Sequence, residues 1–442
     1  MRVAAVENDT VRAFILAFML ALVLALTNVP AIAQDSAANL SRFQPAATAD
    51  GQRAAIVPFQ GRVGDIVLQP PPGDEFDTDP LLQIPTLVRA LNPWDEYKKT
   101  LDLKHGLQFG ISYTSLYQAA SNTFTGENDA ASGVLEIGGS WTLLGRNTQQ
   151  PGALGFVFAD RHRYGTRLSP SELNAQFGSL WQTALAHEEF DFVPSELWWE
   201  QNLVKDRVIV RFGKVDAGGV YDYFKYKNPR EGFLSDPFAL NNTIAYPGEG
   251  PGAILGLTNG TVYLLAGIHD ANGDGRSFDL ESFFDRSEFF TAVELGYEPI
   301  LQHGKGSYQM TFWHVDQRNL AKVPGGWGYT VFAEQQFGRV LPFFKYGHAE
   351  GGAASLTDMI ATGVVFEEMF DRKSDVLGLG FSWGRPTDRS LDNQIGMEAF
   401  YRLQLLNELA VTANMQVIFN PASNPTTKDP VTVLGVRLRT AF

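Results

Sequence analysis

The chain has 442 residues, a formal net charge of -14 and no cysteine. The acidic balance excludes a nucleic-acid partner, because binding phosphates requires a segregated basic surface and the sequence shows none. The lack of cysteine excludes a disulfide framework and any thiolate metal site. With 43 glycines, 12% aromatic and only 19% charged residues, the composition favours a β-rich protein with many turns.

The chain begins with the pattern of a secretory leader. A polar start is followed by the apolar run Ala13–Val29, and Ala31-Ile32-Ala33 supplies the small residues of a cleavage site. We therefore expect residues 1–33 to be a signal peptide cleaved after Ala33; the alternative is an uncleaved anchor. No later stretch reaches the roughly 18 consecutive apolar residues of a membrane helix, so any further insertion requires strands.

The next segment has a low-complexity composition. Residues 34–92 are rich in Ala, Pro, Gln and Asp, which predicts an extended or disordered periplasmic arm. Residues 93–105 are predicted to form a short helix, with Asn92 as N-cap, Pro93 in the first turn and Gly106 as the stop.

Residues 106–442 alternate apolar with polar or small side chains in about sixteen segments, which is the period of a two-faced strand. The connections between these segments alternate in length. Short ones, such as Val204–Asp206 and Thr258–Gly260, lie between long ones such as Tyr164–Val193 and Ala217–Gly250. Short periplasmic turns opposite long external loops are typical of an outer-membrane barrel.

The two faces of the predicted strands differ in polarity. Val208, Val210 and Phe212 share one face, and Arg207 and Arg211 share the other. A charge facing lipid near the midplane costs about 2–4 kcal/mol, so the charged face must point inward. About sixteen strands enclose an aqueous channel. The sequence therefore predicts an all-β, antiparallel transmembrane barrel with a hydrated lumen.

Several strings in this frame match one family. They are "ELWWEQ" at Glu196–Gln201, "RFGKVD" at Arg211–Asp216, "DPFALNNTIAYPG" at Asp236–Gly248, "HDANGDG" at His269–Gly275 and the terminal "GVRLRTAF". Over roughly Trp94 to Phe442 the chain resembles the carbohydrate-selective porins of the OprB type. The resemblance implies passive uptake of carbohydrates through a sixteen-stranded channel in outer-membrane lipid, and no enzymatic activity. A homotrimer is kept as an open expectation.

The resemblance also implies that the third external loop folds into the lumen and narrows it. In this chain that loop contains Tyr221, Tyr223 and Tyr226, together with Phe224, Lys225, Lys227, Arg230 and Glu231. Aromatic rings can lie against the C–H faces of a pyranose while charged groups bind its hydroxyls. The alternative is an external loop whose aromatic rings pack only on each other.

Six further residues fall on the inward face by alternation: Arg161, Trp198, Glu200, Arg211, Glu398 and Arg402. Opposed carboxylates and guanidiniums across a pore would order water and keep net ion selectivity low. We expect these residues to form the constriction; the alternative is salt bridges along the wall, away from any narrow point.

A calcium-loop pattern runs from His269 to Glu281, but "GTVYLLAGIH" before it alternates as a strand and disfavours a helix-loop-helix sensor. A structural calcium remains an expectation, with Asp270, Asn272 and Asp274 as ligands; otherwise no cofactor is expected. "GFSWG" at Gly380–Gly384 fits a nucleophile pattern but lacks the helix that must follow it. The alternatives to a sugar porin are a general or anion-facilitating porin and, less favoured, an adhesion protein or a hydrolase.

Overall fold

The computed structural model describes residues 80–205, 207–277 and 279–442. The predicted signal peptide and most of the predicted arm lie outside these residues. Within them, one long helix precedes sixteen long antiparallel strands that close into a barrel. No helix in these ranges is long and apolar enough to cross a membrane.

The sixteen strands follow the chain in order around the barrel. They are β1 Leu107–Ala120, β2 Asp129–Leu144, β3 Gly152–Arg163, β4 Phe190–Leu203, β5 Val208–Val215, β6 Gly250–Thr258, β7 Val262–Asp270, β8 Phe289–Tyr297, β9 Gly304–Val315, β10 Gly326–Gln335, β11 Val340–Glu350, β12 Leu356–Glu367, β13 Val376–Pro386, β14 Gln394–Leu406, β15 Leu409–Phe419 and β16 Val431–Ala441. A two-residue strand, Ile300–Leu301, pairs with the start of β9.

The barrel closes between its first and last strands. β1 pairs antiparallel with β16 from Ser112 opposite Ala441 to Ala120 opposite Val433. The ladder continues to the C-terminal residue, because Phe442 and Ile111 exchange backbone hydrogen bonds of 2.9 and 3.0 Å. Closure leaves no strand edge in contact with hydrocarbon, where an unpaired backbone group costs several kcal/mol. The predicted antiparallel barrel is confirmed.

The two faces of the wall follow the predicted alternation. On β5, Phe212 is 51% exposed on the outer face while Arg211 is buried inside. On β16, Val436 and Leu438 are exposed and Arg437 between them is buried. The outer surface is therefore apolar and suited to lipid.

The long connections lie at one end of the barrel. Three of them are used below: L2 (residues 164–189), L3 (residues 216–249) and L4 (residues 271–288). One detail differs from the predicted alternation of short and long connections. The connection 351–355, at the end with the long loops, is shorter than 368–375 at the opposite end. The latter contains a 3-10 turn, Met369–Asp371, which takes up the additional residues.

The helix α1 spans Pro85–His105, so its predicted start at Pro93 is wrong. Pro85 lies in the first turn, where a proline costs no intrahelical hydrogen bond, and Pro93 is accommodated inside the helix. The predicted stop is correct: Gly106 adopts φ 71° and its N–H bonds to Asp102 O. The predicted arm therefore ends before Pro85.

The interior is less hydrated than the alternation suggested. The inward faces of β10, β11 and β14 carry Phe332, Phe343 and Phe400, all buried. They pack against Phe224 and Phe233 of L3, with ring centroids 4.3 Å apart for Phe224 and Phe343 and 4.9 Å apart for Phe233 and Phe400. The loop therefore covers this part of the wall with an apolar core.

Candidate functional site

The loop L3 is folded inside the barrel and contains two short helical turns, α2 Ala217–Val220 and α3 Asp236–Ala239. Asp216 caps α2 by accepting a hydrogen bond of 2.8 Å from the N–H of Gly218. L3 contacts residues on the inward faces of β11, β14 and β16. The space left inside the barrel, called the passage below, lies between L3 and the strands that L3 does not cover.

A buried carboxylate holds the middle of L3. Glu398, on the inward face of β14, accepts hydrogen bonds from the N–H of Leu234 at 2.6 Å and the N–H of Ser235 at 3.0 Å. The hydroxyl of Ser235 and the side-chain amide of Asn414 add bonds of 2.6 and 2.8 Å. Glu398 was predicted to line the constriction; the structure places it behind L3 as the anchor of that loop.

Two buried cations complete the attachment. Lys345 of β11 lies 3.1 Å from Asp222 and also donates to Phe238 O at 3.3 Å. Burial opposes ionisation of Asp222, but the ammonium group of Lys345 outweighs it and holds the pKa of this carboxyl below its usual value. Arg437 of β16 donates to Pro229 O at 2.6 Å and to Gly232 O at 3.1 Å.

The loops L2 and L3 are joined to each other. The N–H of Gln182 donates to the carboxylate of Asp236 at 3.0 Å, and the N–H of Leu185 donates to Leu234 O at 2.9 Å. Burial raises the pKa of Asp236 to about 7. Both loops therefore contribute to one internal structure that narrows the barrel.

The three predicted tyrosines of L3 have different environments. Tyr221 is fully buried against His269, and Tyr226 is buried with its hydroxyl bonded to Glu367. Burial, followed by the charge of Glu367, raises the pKa of Tyr226. Tyr223 is only partly buried. Neither of the first two rings is open to a solute in this conformation, so contact with a sugar ring stays a prediction for Tyr223.

Charged pairs lie where L2 and L3 meet the inward faces of β2 and β3. Arg161 of β3 forms a salt bridge with Glu188 of L2 and lies 4.0 Å from Glu249 at the end of L3. Glu136 of β2 pairs with Arg230 of L3, with N–O distances of 2.9 and 3.3 Å. These groups come from both loops and from the wall, so they form one charged rim around the remaining passage.

A second group lies where L3 faces the last strands. Glu231 of L3 is 3.9 Å from Arg402 of β14 and 3.2 Å from Arg439 of β16. The predicted inward placement of Arg402 agrees with this arrangement, and its partner is a residue of the constricting loop.

The remaining predicted residues, Trp198, Glu200 and Arg211, lie together on β4 and β5, toward the mouth of the barrel opposite the long loops. Arg211 donates to the Oε2 atom of Glu200 at 3.0 and 2.8 Å, and both side chains are buried. The guanidinium also lies 4.9 Å from the ring centroid of Trp198. Trp198 is partly exposed and packs over Gly155, where a Cβ would come within 2.2 Å of the indole. Of the aromatic rings predicted to line the passage, the partly exposed ring of Trp198 is the best placed on the barrel wall to contact a sugar.

The residues predicted to bind calcium are engaged within L4. Asp274 accepts hydrogen bonds from the N–H groups of Arg276 and Ser277 at 3.0 and 2.9 Å, and Asp270 accepts one from Asn272 at 2.9 Å. Among the described residues no group of three or more His, Cys, Asp or Glu side chains is gathered for a metal. Strands flank the loop on both sides. Calcium binding here stays a prediction.

The backbone of the same loop supports L3. Lys214 donates to Gly275 O at 2.8 Å, and the N–H of Gly248, at the end of L3, donates to Gly273 O at 3.1 Å. A Cβ on Gly273 would come within 2.4 Å of Gly248 O, so only glycine allows this approach. The glycines of the calcium-like pattern thus serve as a contact between two loops.

Sequence reasoning missed the acidic rim residues Glu188 and Glu249, since both lie in long connections without periodicity. Glu136 lies on the polar, inward face of β2, where alternation along the strand places it. The anchors Lys345 and Glu398 differ from rim residues only by what packs on them, which alternation does not reveal.

Residues 192–442 match the sequence model of the carbohydrate-selective porin, OprB family. The chain belongs to this family. Membership makes it an outer-membrane carbohydrate porin, a channel rather than an enzyme. No curated protein sequence matches it.

The fold agrees with solved OprB structures. A high-pH structure of Pseudomonas putida OprB superposes with a TM-score of 0.66 at 14% identity, covering 79% of this chain and 97% of that one. A low-pH structure of the same protein gives 0.50 at 13% identity, covering 79% and 96%. At this identity the likeness shows the barrel fold of an OprB porin and leaves the residues of the passage to be argued from this chain alone.

Proposed function

We propose that this OprB-family barrel lets monosaccharides and small oligosaccharides diffuse passively through the passage between L3 and the strands β2 to β5. One observation carries the proposal. L3 is fixed inside the barrel by buried charges from β11, β14 and β16, so the passage is narrow and its walls are preformed.

The lining suits a polar, uncharged solute. Paired groups such as Glu136 with Arg230 offer hydrogen-bond donors and acceptors to sugar hydroxyls, and Trp198 offers a ring face. Binding at each position must be weak, because throughput requires release as well as capture.

Liposome swelling tests this function. Vesicles containing the purified mature protein are diluted into glucose, maltose or a neutral amino acid of glucose-like size. We expect glucose to enter faster than maltose and faster than the amino acid. Equal rates for glucose and the amino acid would contradict sugar selectivity and support a general porin.

Two further parts of the proposal concern delivery and assembly. Export through a leader cleaved after Ala33 predicts a mature chain that begins at Gln34, which intact-mass spectrometry of the outer-membrane protein measures. Association into a homotrimer is tested by cross-linking in mild detergent, where a monomer band alone would contradict it.

A further inference from the structure

Three sets of charged pairs in the lumen share an asymmetry in exposure, whereas Arg211 and Glu200 are about equally buried. The side chain of Glu188 is 41% exposed and that of Glu249 is 24% exposed, whereas Arg161 between them is only 8% exposed. Glu136 is 20% exposed and its partner Arg230 is 4% exposed. In each pair the carboxylate is more exposed than the guanidinium.

The same order holds beside the last strands. Glu231 is 16% exposed, while Arg402 and Arg439 are 5% and 7% exposed. In all three sets the acidic group is therefore the more exposed partner.

The basic groups are buried because they hold L3. Arg437 is bonded to two carbonyl oxygens of the loop, and Lys345 to one carboxylate and the carbonyl oxygen of Phe238. Arg230 belongs to the loop and is pinned against Glu136. A cation that is enclosed by its partners contributes less to the potential in the adjacent water than an exposed carboxylate does.

Two lysines in the other half of the barrel depart from this pattern. Lys225 is 53% exposed and pairs with Glu367 at 2.5 Å, and Lys305 is 49% exposed and pairs with Glu298 at 3.5 Å. In these two pairs the lysine is the more exposed partner, so this part of the lumen is not acidic.

We infer that the passage is acidic to a solute where L2 and L3 meet β2 and β3, and that this part of it favours cations over anions. Resting on the sugar-porin function, the inference narrows the substrate class to neutral sugars and protonated amino sugars such as glucosamine, with sugar acids such as glucuronate disfavoured. It departs from the sequence expectation of low ion selectivity and from the anion-facilitating alternative.

The reversal potential of the purified protein in a planar bilayer, under a tenfold KCl gradient, tests the inference. We expect potassium to be favoured over chloride by about 10-fold, the low end for a cleft lined by one sign of charge. The variant with Glu188→Gln and Glu249→Gln should bring the ratio toward one, and Glu188→Lys alone should shift it in the same direction. Glu350→Gln removes the same charge from the outer face of β11 and should leave the ratio unchanged.

Sugar permeation provides the second readout, with glucosamine expected to enter liposomes faster than glucuronate. A chloride preference, or an unchanged ratio in the double variant, would overturn the inference. Channels that conduct but prefer chloride would leave the porin function standing, whereas protein that inserts and never conducts would remove that function itself.

Discussion

Replacing Glu398 with glutamine should loosen the constriction without opening the barrel. The carboxylate is 2% exposed and accepts four hydrogen bonds, three of them from L3. Glutamine has nearly the same size, but its amide nitrogen would face donors instead of accepting from them. The bond from the Leu234 N–H is lost if the amide nitrogen takes the Oε1 position, and the bond from the Ser235 N–H is lost if it takes the Oε2 position, so at least one bond from L3 is lost in either orientation.

The magnitude follows from the kind of bond. A hydrogen bond to a charged group contributes about 1.5–3 kcal/mol, so losing one costs about 1.5–3 kcal/mol of L3 attachment. Each 1.4 kcal/mol is about tenfold in an equilibrium constant, so the detached state of L3 should rise by at least about tenfold. The barrel ladder is not touched by the substitution.

Two assays report the change. Trypsin should cleave the variant at Arg230, which is buried in the attached loop, far faster than it cleaves the parent protein. Single-channel recordings should show larger and more variable conductance, whereas Glu350→Gln should behave as the parent. A folded Glu398→Gln barrel with unchanged cleavage and unchanged conductance would refute the anchoring role.

Three further expectations follow. Replacing Arg211 with alanine leaves Glu200 buried and unpaired, so conductance should change and the free energy of unfolding should fall by about 3–5 kcal/mol. Replacing both Arg211 and Glu200 with alanine should lower it less, and urea unfolding measures both changes. Asp375 accepts bonds from Arg372 and Tyr401; burial opposes ionisation, but these bonds lower the pKa of Asp375, so its stabilising contribution is present above its unfolded pKa and is lost as pH falls below about 4. Melting temperatures of the parent and of Asp375→Asn should differ at pH 7 and converge at pH 3. Isothermal titration tests the calcium prediction for L4, and no heat at millimolar calcium would end it.

The barrel was predictable because lipid imposes a strict rule on each strand. A residue such as Phe212 must face outward and its neighbour Arg211 inward, since the reverse would place a charge in hydrocarbon. Closure follows from the same solvent, because the edges of β1 and β16 have no other way to satisfy their backbone groups. The alternation of apolar and polar residues therefore predicted the strands, their faces and their order.

The site was only partly predictable because the lumen imposes no such rule. Phe343 and Lys345 both point inward on β11, and only the course of L3 makes one a core residue and the other an anchor. Loop residues such as Glu188 have no periodicity to mark them. Helix α1 was shortened in the prediction because Pro93 was taken as its start, whereas Pro85 fills that position.

Single-channel current in a planar bilayer, recorded as glucose is added, tests the central claim most directly. A preformed passage that binds sugar weakly predicts open channels whose ion current falls in a graded, saturable way with glucose. Channels whose current is indifferent to glucose, or protein that inserts and stays closed, would contradict it.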